Sequence, residues 1–215
     1  MSKNKYPEET VNLILDVSMK LFIEKGYDDT SIQDIINQLG GLSKGAIYHH
    51  FKSKESILIG VYDRISKSIE HDMVAIRDDK KLNGMEKLQK MFASSLDSKQ
   101  HIELFSVTPK LLDNPRLLAI QLKSVIEDVV PNYVEPVIEA GVKDGSICTK
   151  HPKELAQVMI LLSNIWMNPL VYSMSQEEII ARINFFRDMT NKMGIPIMND
   201  FMEERLEQMR IIVEK

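Results

Sequence analysis

Three short helical stripes crowd into the first part of this chain, and a Gly40-Gly41 pair separates the second from the third. Pro7, Glu8 and Glu9 open the first helix: proline has no N–H to leave unpaired there, and the acids meet the positive end of the helix dipole. Val11, Ile14, Leu15, Ser18, Met19 and Phe22 follow at helical spacing, and Lys25-Gly26 closes the helix as a basic last turn with a glycine cap. Thr30 or Ser31 suits the cap of the second helix, Gln33 lies three residues after Thr30 as a capping box requires, and Ile32, Ile35, Ile36 and Leu39 form its apolar side. Ser43 caps the third, in which Ile47 and Phe51 lie four apart and share an inward face. Ser53 then caps a longer helix carrying Ile57, Leu58, Val61, Ile65 and Ile69. Two short helices joined by a tight glycine-bearing turn, after a first helix, describe a helix-turn-helix unit.

The rest of the chain keeps the helical period but is punctuated more often. Gly84, the polar stretch 97–100, Asp113-Asn114-Pro115 and Asp144-Gly145 are expected breaks. Pro131 and Pro136 fall inside an otherwise helical run over 115–143, which predicts a kink or a split. Further helices are predicted over 152–167, 175–193 and 198–213. With no alternating strand pattern and no repeat, the fold class is all-α, a small N-terminal module followed by a larger helical body.

Charge narrows the partners. The formal net charge is -4, so an overall acidic surface would repel DNA and anionic membranes, and any polyanion contact must be confined to a patch. Cys148 is the single cysteine, which excludes an intramolecular disulfide and suggests a reducing compartment. The opening residues 1–6 are polar with no apolar run behind them, and Val158 to Leu162 is far too short to span a bilayer. The expectation is a cytoplasmic protein with no membrane partner.

The patch is visible. From Ile35 to Lys54 there are three lysines, two histidines and no aspartate or glutamate. A major groove admits one α-helix whose first turn carries donors to base edges and phosphates. Gly45 allows close backbone approach, and Ser43 with the helix-start N–H groups suits a phosphate. Lys44 reaches a base or a phosphate, and Tyr48 brings a hydroxyl and a ring. His49 and His50 extend that surface, Lys52 and Lys54 flank it, and Thr30 or Ser31 would clamp the far edge of the groove. A solvated basic helix over a small core is the competing reading; the agreement of caps, turn and inward Ile47/Phe51 weighs against it.

The segment from about Val11 to Val61 closely resembles the N-terminal DNA-binding domain of TetR/AcrR-family transcriptional regulators. The matching features are Phe22-x-x-x-Gly26-Tyr27, Thr30-Ser31-x-x-Asp34-Ile35, and the unbroken run from Ser43 through Lys44, Gly45, Ile47, Tyr48, His49, His50, Phe51, Lys52 and Lys54 to Glu55. The turn Leu39-Gly40-Gly41-Leu42 is one residue longer than the commonest family spacing, an insertion expected to be absorbed in the turn. Asp16 and Glu24 on the first helix keep the basic face narrow. The resemblance implies a DNA-binding regulator acting as a homodimer on a palindromic double-stranded operator, usually a repressor released by a small-molecule effector. It implies DNA contacts from Thr30, Ser31, Ser43, Lys44, Gly45, Tyr48, His49, His50, Lys52 and Lys54. It divides the chain into a DNA-binding domain over 8–68, with the helix-turn-helix at about 31–51, and a ligand-binding and dimerisation body over 69–215.

In that body, eight of the thirteen methionines lie beyond residue 150. Methionine adapts to irregular apolar guests. Phe105, Tyr133, Met159, Trp166 and Met167 are therefore candidates for an apolar or amphipathic effector, against the plainer reading of core packing. The helices over 152–167 and 175–193 are candidates for a two-fold four-helix interface, although Ile179, Ile183 and Phe186, or Leu155, Met159 and Leu162, serve equally as internal core. Enzyme readings find little: His49 and His50 are about 100° apart on a helix and cannot chelate one metal. His71, His101 and His151 lack a nucleophile at useful spacing, and Cys148 beside Lys150 reads as an incidental thiol. No cofactor is expected. Two other readings stand beside the regulator: an interaction protein that binds a protein partner, and an unrecognised all-α enzyme.

Overall fold

The computed structural model describes residues 7–42, 44–97, 105–198 and 202, and among these there is no strand. The all-α expectation holds. No described helix is long and apolar enough to cross a membrane.

The first helices are α1 (Pro7–Lys25), α2 (Ile32–Gln38), α3 (Lys44–His50) and α4 (Lys54–Asp78). Gly26 ends α1 at a φ of 86°, a left-handed value that a side chain would resist, while its N–H donates to the Phe22 carbonyl at 3.0 Å. Ser31 is the residue that caps α2, and its box partner is Asp34; Gln33 turns instead to Asn37. The turn to α3 uses both glycines at positive φ, 49° at Gly40 and 129° at Gly41, where only glycine is comfortable. Ser53 and Ser56 cap the start of α4 reciprocally, each N–H meeting the other's hydroxyl at 3.0–3.1 Å.

The described residues of Met1–Ser68 gather with those of Glu103–Pro109 into one compact unit. Its core is Ile14, Leu15 and Phe22 of α1, Ile35 of α2, Ile47 of α3, and Ile57, Leu58 and Val61 of α4. Ile47 is fully buried, which fixes the roll of α3 and so decides what faces outward; a side chain of that size is worth about 1.5–3 kcal/mol when buried. Phe51 packs on α4 at Gly60, where an added methyl would lie 2.9 Å from the ring. Arg64 of α4 pairs with Asp16 of α1 at 2.7 Å. Tyr62 of α4 shares a 2.6 Å hydrogen bond with Thr108, and its loss of water drives the phenol pKa up to about 12. The described residues of 105–109, which the sequence groups with the second region, cluster with the first unit.

The other unit takes in the rest of the described chain. After the end of α4 come α5 (Gly84–Asp97), a tight turn at Leu111–Asp113, α6 (Pro115–Ser124), α7 (Glu135–Asp144), α8 (Pro152–Leu161) and α9 (Gln176–Lys192). Asn114 and Ser175 cap α6 and α9, the latter with Glu178 in a capping box. No break intervenes at Pro131. Over Val125–Val134 the turns widen until the Glu135 N–H donates to the Val130 carbonyl five residues back. A wider turn relieves the clash between a proline ring and the carbonyl four residues behind it. Leu162–Trp166 extends α8 in the same way. The helix predicted over 198–213 lies outside the described residues, except for Met198, which is not helical, and Met202.

The core of this unit joins Leu88 and Met91 of α5, Val137 and Ile138 of α7, Leu155 and Met159 of α8, and Ile183 and Phe186 of α9. Where α5 meets α7 the approach is unusually close: a methyl on Gly84 would lie 2.2 Å from the Cα of Gly141. The start of α5 is held from the turn after α7, where Asp144 accepts from the Gly84 N–H at 2.8 Å and Ser146 from the Met85 N–H at 3.1 Å. Hydrogen bonds hold the Asp144 carboxyl below its ordinary range, the Ser146 hydroxyl contributing most.

Candidate nucleic-acid interface

Burial of Ile47 sets the outward side of α3. Lys44, Tyr48 and Lys52 recur every four residues, as do Gly45 and His49, so these five line one stripe of the helix and its exit. Lys44, Gly45, His49 and Lys52 are exposed, while Tyr48 and His50 are partly buried. The Lys44 ammonium lies 5.8 Å from the centre of the Tyr48 ring, and the two imidazoles meet edge to face at 5.1 Å. Lys52 donates to the Tyr48 carbonyl at 2.7 Å, satisfying one of the open carbonyls at the end of α3. Ser43 lies outside the described residues.

At the edge of α2, Ser31 is exposed and engaged with Asp34 through both its hydroxyl, at 2.6 Å, and its N–H, at 2.9 Å. Asp34 also meets Lys25 at 3.1 Å. The Ser31 hydroxyl, the Ser31 N–H and Lys25, in that order, pull the Asp34 carboxyl down to about 2. Asp34 belongs to the motif that the sequence shares with the family and Lys25 to the last turn of α1, but the sequence assigns neither a role at this edge. The signal is nonetheless present: Ser31-x-x-Asp34 is itself a capping-box spacing.

Two residues expected at the DNA face are placed differently. Thr30 is 1% exposed, and its hydroxyl turns inward to the Gly26 carbonyl at 2.7 Å and the Leu21 carbonyl at 3.3 Å. Its side chain ties the α1–α2 turn to α1, because a threonine beside a glycine-ended helix can satisfy the open carbonyls there. Lys54 is partly buried and its ammonium is held by the carbonyls of Tyr27 and Asp28, at 2.6 and 3.0 Å.

The five effector candidates are not brought together as one group. Tyr133 and Met159 belong to the core of the second unit, and Met167 packs against it. Trp166 lies under the Arg182 guanidinium, 5.0 Å from its ring centre, and its carbonyl accepts from the same arginine. Phe105 belongs to the other unit. Of the interface candidates, Leu155, Met159, Ile183 and Phe186 are buried within the chain. The apolar groups that α8 and α9 leave in water are Val158, Leu161 and Phe185, the last 58% exposed.

The family described as bacterial regulatory proteins, tetR family, matches residues 14–61. The chain is 30% identical over 159 residues to the HTH-type transcriptional repressor KstR2 of Rhodococcus jostii, covering 66% of this chain and 70% of that protein. It is 28% identical over 153 residues to the fatty acid metabolism regulator protein of Bacillus subtilis, covering 68% and 75%. Among solved structures, a TetR-family transcriptional regulator from Syntrophomonas wolfei superposes with a TM-score of 0.56 at 24% identity, over 89% of this chain and 99% of that one. A regulator from Cytophaga hutchinsonii gives 0.57 at 18% identity, over 94% and 98%. Both are likenesses of fold.

Proposed function

Given that this chain belongs to the tetR family of bacterial regulatory proteins and is a transcriptional regulator, we propose that it represses by binding a palindromic operator as a homodimer. An apolar or amphipathic small molecule then releases it. The observation that carries the DNA reading is the outward stripe of α3, which concentrates Lys44, Tyr48, His49 and Lys52 in an acid-free window of an acidic chain. Side chains of this kind position a protein on phosphates and reach base edges in the major groove. Gly45 lies on the same stripe, His50 ends α3 beside it, and the exposed Ser31 at the start of α2 belongs to the same reading. Of the residues that the resemblance assigns to DNA, Thr30 drops out as a side-chain contact because it is buried.

Self-association is supported by Val158, Leu161 and Phe185, apolar groups left exposed on two successive helices. A two-fold pair of such helices would form a four-helix interface. Two recognition helices must then sit about 34 Å apart to read successive major grooves on one DNA face. The helix α4 carries the chain from the first unit into the second, so an effector held by the second unit has a covalent route to that spacing. Eight methionines in or against the core of the second unit suit a pliable apolar guest. Repression and a lipid-like effector also agree with the names of the two relatives, one a repressor and one a regulator of fatty acid metabolism.

Selection of bound fragments from a genomic pool tests the reading. A recovered palindrome with half-sites one helical turn apart, bound with an affinity that falls steeply with salt, is expected. Lys44→Ala combined with Tyr48→Ala should abolish that binding and leave the oligomeric state intact. Fragments with no shared palindrome, or a double variant that binds like wild type, would overturn it.

A further inference from the structure

We propose that Lys54 positions the recognition helix by clasping the α1–α2 turn, and does not itself contact a DNA phosphate. The inference rests on the DNA-binding reading and changes the role of one residue in it. Lys54 is the first residue of α4, four residues beyond the end of α3. Its ammonium reaches back across 26 and 27 residues of sequence to the Asp28 and Tyr27 carbonyls, at 3.0 and 2.6 Å. It also lies over the Tyr27 ring, 4.3 Å from the centre. An ammonium has three N–H donors. Two are committed here to carbonyls just past the negative end of α1, where a cation is electrostatically favoured.

The clasp is anchored at its far side. The Tyr27 ring meets the buried Phe22 ring edge-on at 5.2 Å, so it is fixed to α1. The turn it belongs to runs directly into Thr30, bonded back to Gly26, and into Ser31, the cap of α2. The chain thus leaves α1, passes through the turn, α2 and α3, and is tied by Lys54 to the turn again. That closure fixes where α3 ends relative to where α2 begins, which is the aim of the recognition helix.

The local charge also disfavours a phosphate. Burial and the nearby carboxylates of Glu55 and Asp28 raise the Tyr27 phenol above its ordinary pKa, so two acids lie close enough to act on this spot. Lys44 differs: it is exposed and on the outward stripe, and no acid adjoins it in sequence as Glu55 adjoins Lys54.

The test compares Lys54→Met, Lys54→Arg and Lys44→Ala in the full-length protein. One readout is affinity for a recovered duplex across a salt series; the other is amide exchange of residues 27–34 without DNA. Lys54→Met should weaken binding about tenfold at every salt concentration, the scale expected for losing charge-assisted hydrogen bonds, with the log–log salt slope unchanged and faster exchange in the turn. Lys54→Arg should recover both, since a guanidinium can serve two carbonyls and stack on Tyr27. Lys44→Ala should flatten the slope by about 0.9 for each phosphate that is no longer neutralised, and leave exchange unaltered. A flattened slope in Lys54→Met, or unchanged exchange in its turn, overturns the proposal. If the wild type binds no DNA, the operator reading fails by itself and exchange alone decides the clasp.

Discussion

Replacing Gly84 by alanine should destabilise this protein far more than a single methyl suggests. A Cβ there would stand 2.2 Å from the Gly141 Cα, 2.3 Å from the Gly141 N and 2.9 Å from the Val137 carbonyl oxygen. All three are backbone atoms, so no rotamer change relieves the overlap. To restore ordinary contact, α5 and α7 must part by roughly 1 Å, and overpacking of this kind costs about 1–3 kcal/mol. Parting them also stretches the bonds from the Gly84 and Met85 N–H groups to Asp144 and Ser146. Losing one bond to a charged acceptor adds about 1.5–3 kcal/mol. The expected loss is about 3–5 kcal/mol, against a total stability of about 5–15 kcal/mol for a typical domain. Urea unfolding followed by helical circular dichroism, at one protein concentration because a dimer couples stability to mass action, reads this as a lower midpoint with an unchanged slope. Gly141→Ala is the internal control. The atoms nearest its methyl belong to the Ile147 side chain, at 2.6–3.1 Å, so adding Ile147→Ala should recover part of the loss. No side-chain truncation should rescue Gly84→Ala. A Gly84→Ala protein within about 0.5 kcal/mol of wild type would refute the close-approach argument, because that is the range of an ordinary surface substitution.

Two further outcomes follow from the site and its surroundings. Asp34 titrates near 2 in the folded chain against an ordinary 3.8, so its folded pKa is depressed; its contribution to stability is therefore complete above about pH 4 and disappears as pH falls toward 2. Acid titration of helical content should accordingly show a smaller loss across that window in Asp34→Asn, and an unchanged profile would mean the Ser31–Lys25 contacts do not hold the carboxylate. Phe185→Asp should leave the helical content intact, since that ring is 58% exposed, but shift the sedimenting species toward monomer. A dimer that persists undiminished would move the self-association surface elsewhere.

How far the sequence could be read depended on whether a signal was local. Ser31, Ser53, Asn114 and Ser175 act within three residues of themselves, and the ends of α2, α4, α6 and α9 follow from them. Ile47 and Phe51 were legible for the same reason, and with them the outward stripe of α3. Gly84 was not: it has the look of a helix break, yet it is the first residue of α5, kept small by a backbone met 57 residues later. Thr30 has the composition of a groove clamp, but its hydroxyl turns inward to the Gly26 and Leu21 carbonyls, a direction that residue type does not reveal. Pro131 suggested a kink or a split because an ordinary helix holds a proline poorly, whereas widened turns accommodate it without splitting the helix. The effector candidates rest on residue type alone. Type does not separate a core side chain such as Met159 from one that meets a guest.

The bond between Tyr62 and Thr108 bears on how such regulators can be recombined. A gene fusion that exchanges the second unit by cutting after the fourth helix assumes that everything before the cut folds by itself. Here that cut would discard Val107 and Thr108, both buried within the N-terminal unit. Tyr62 would keep a hydroxyl sheltered from water whose present partner had gone. A hybrid that retains only the contiguous segment therefore starts from a damaged head, and a transplanted body must bring its own length of chain to close it.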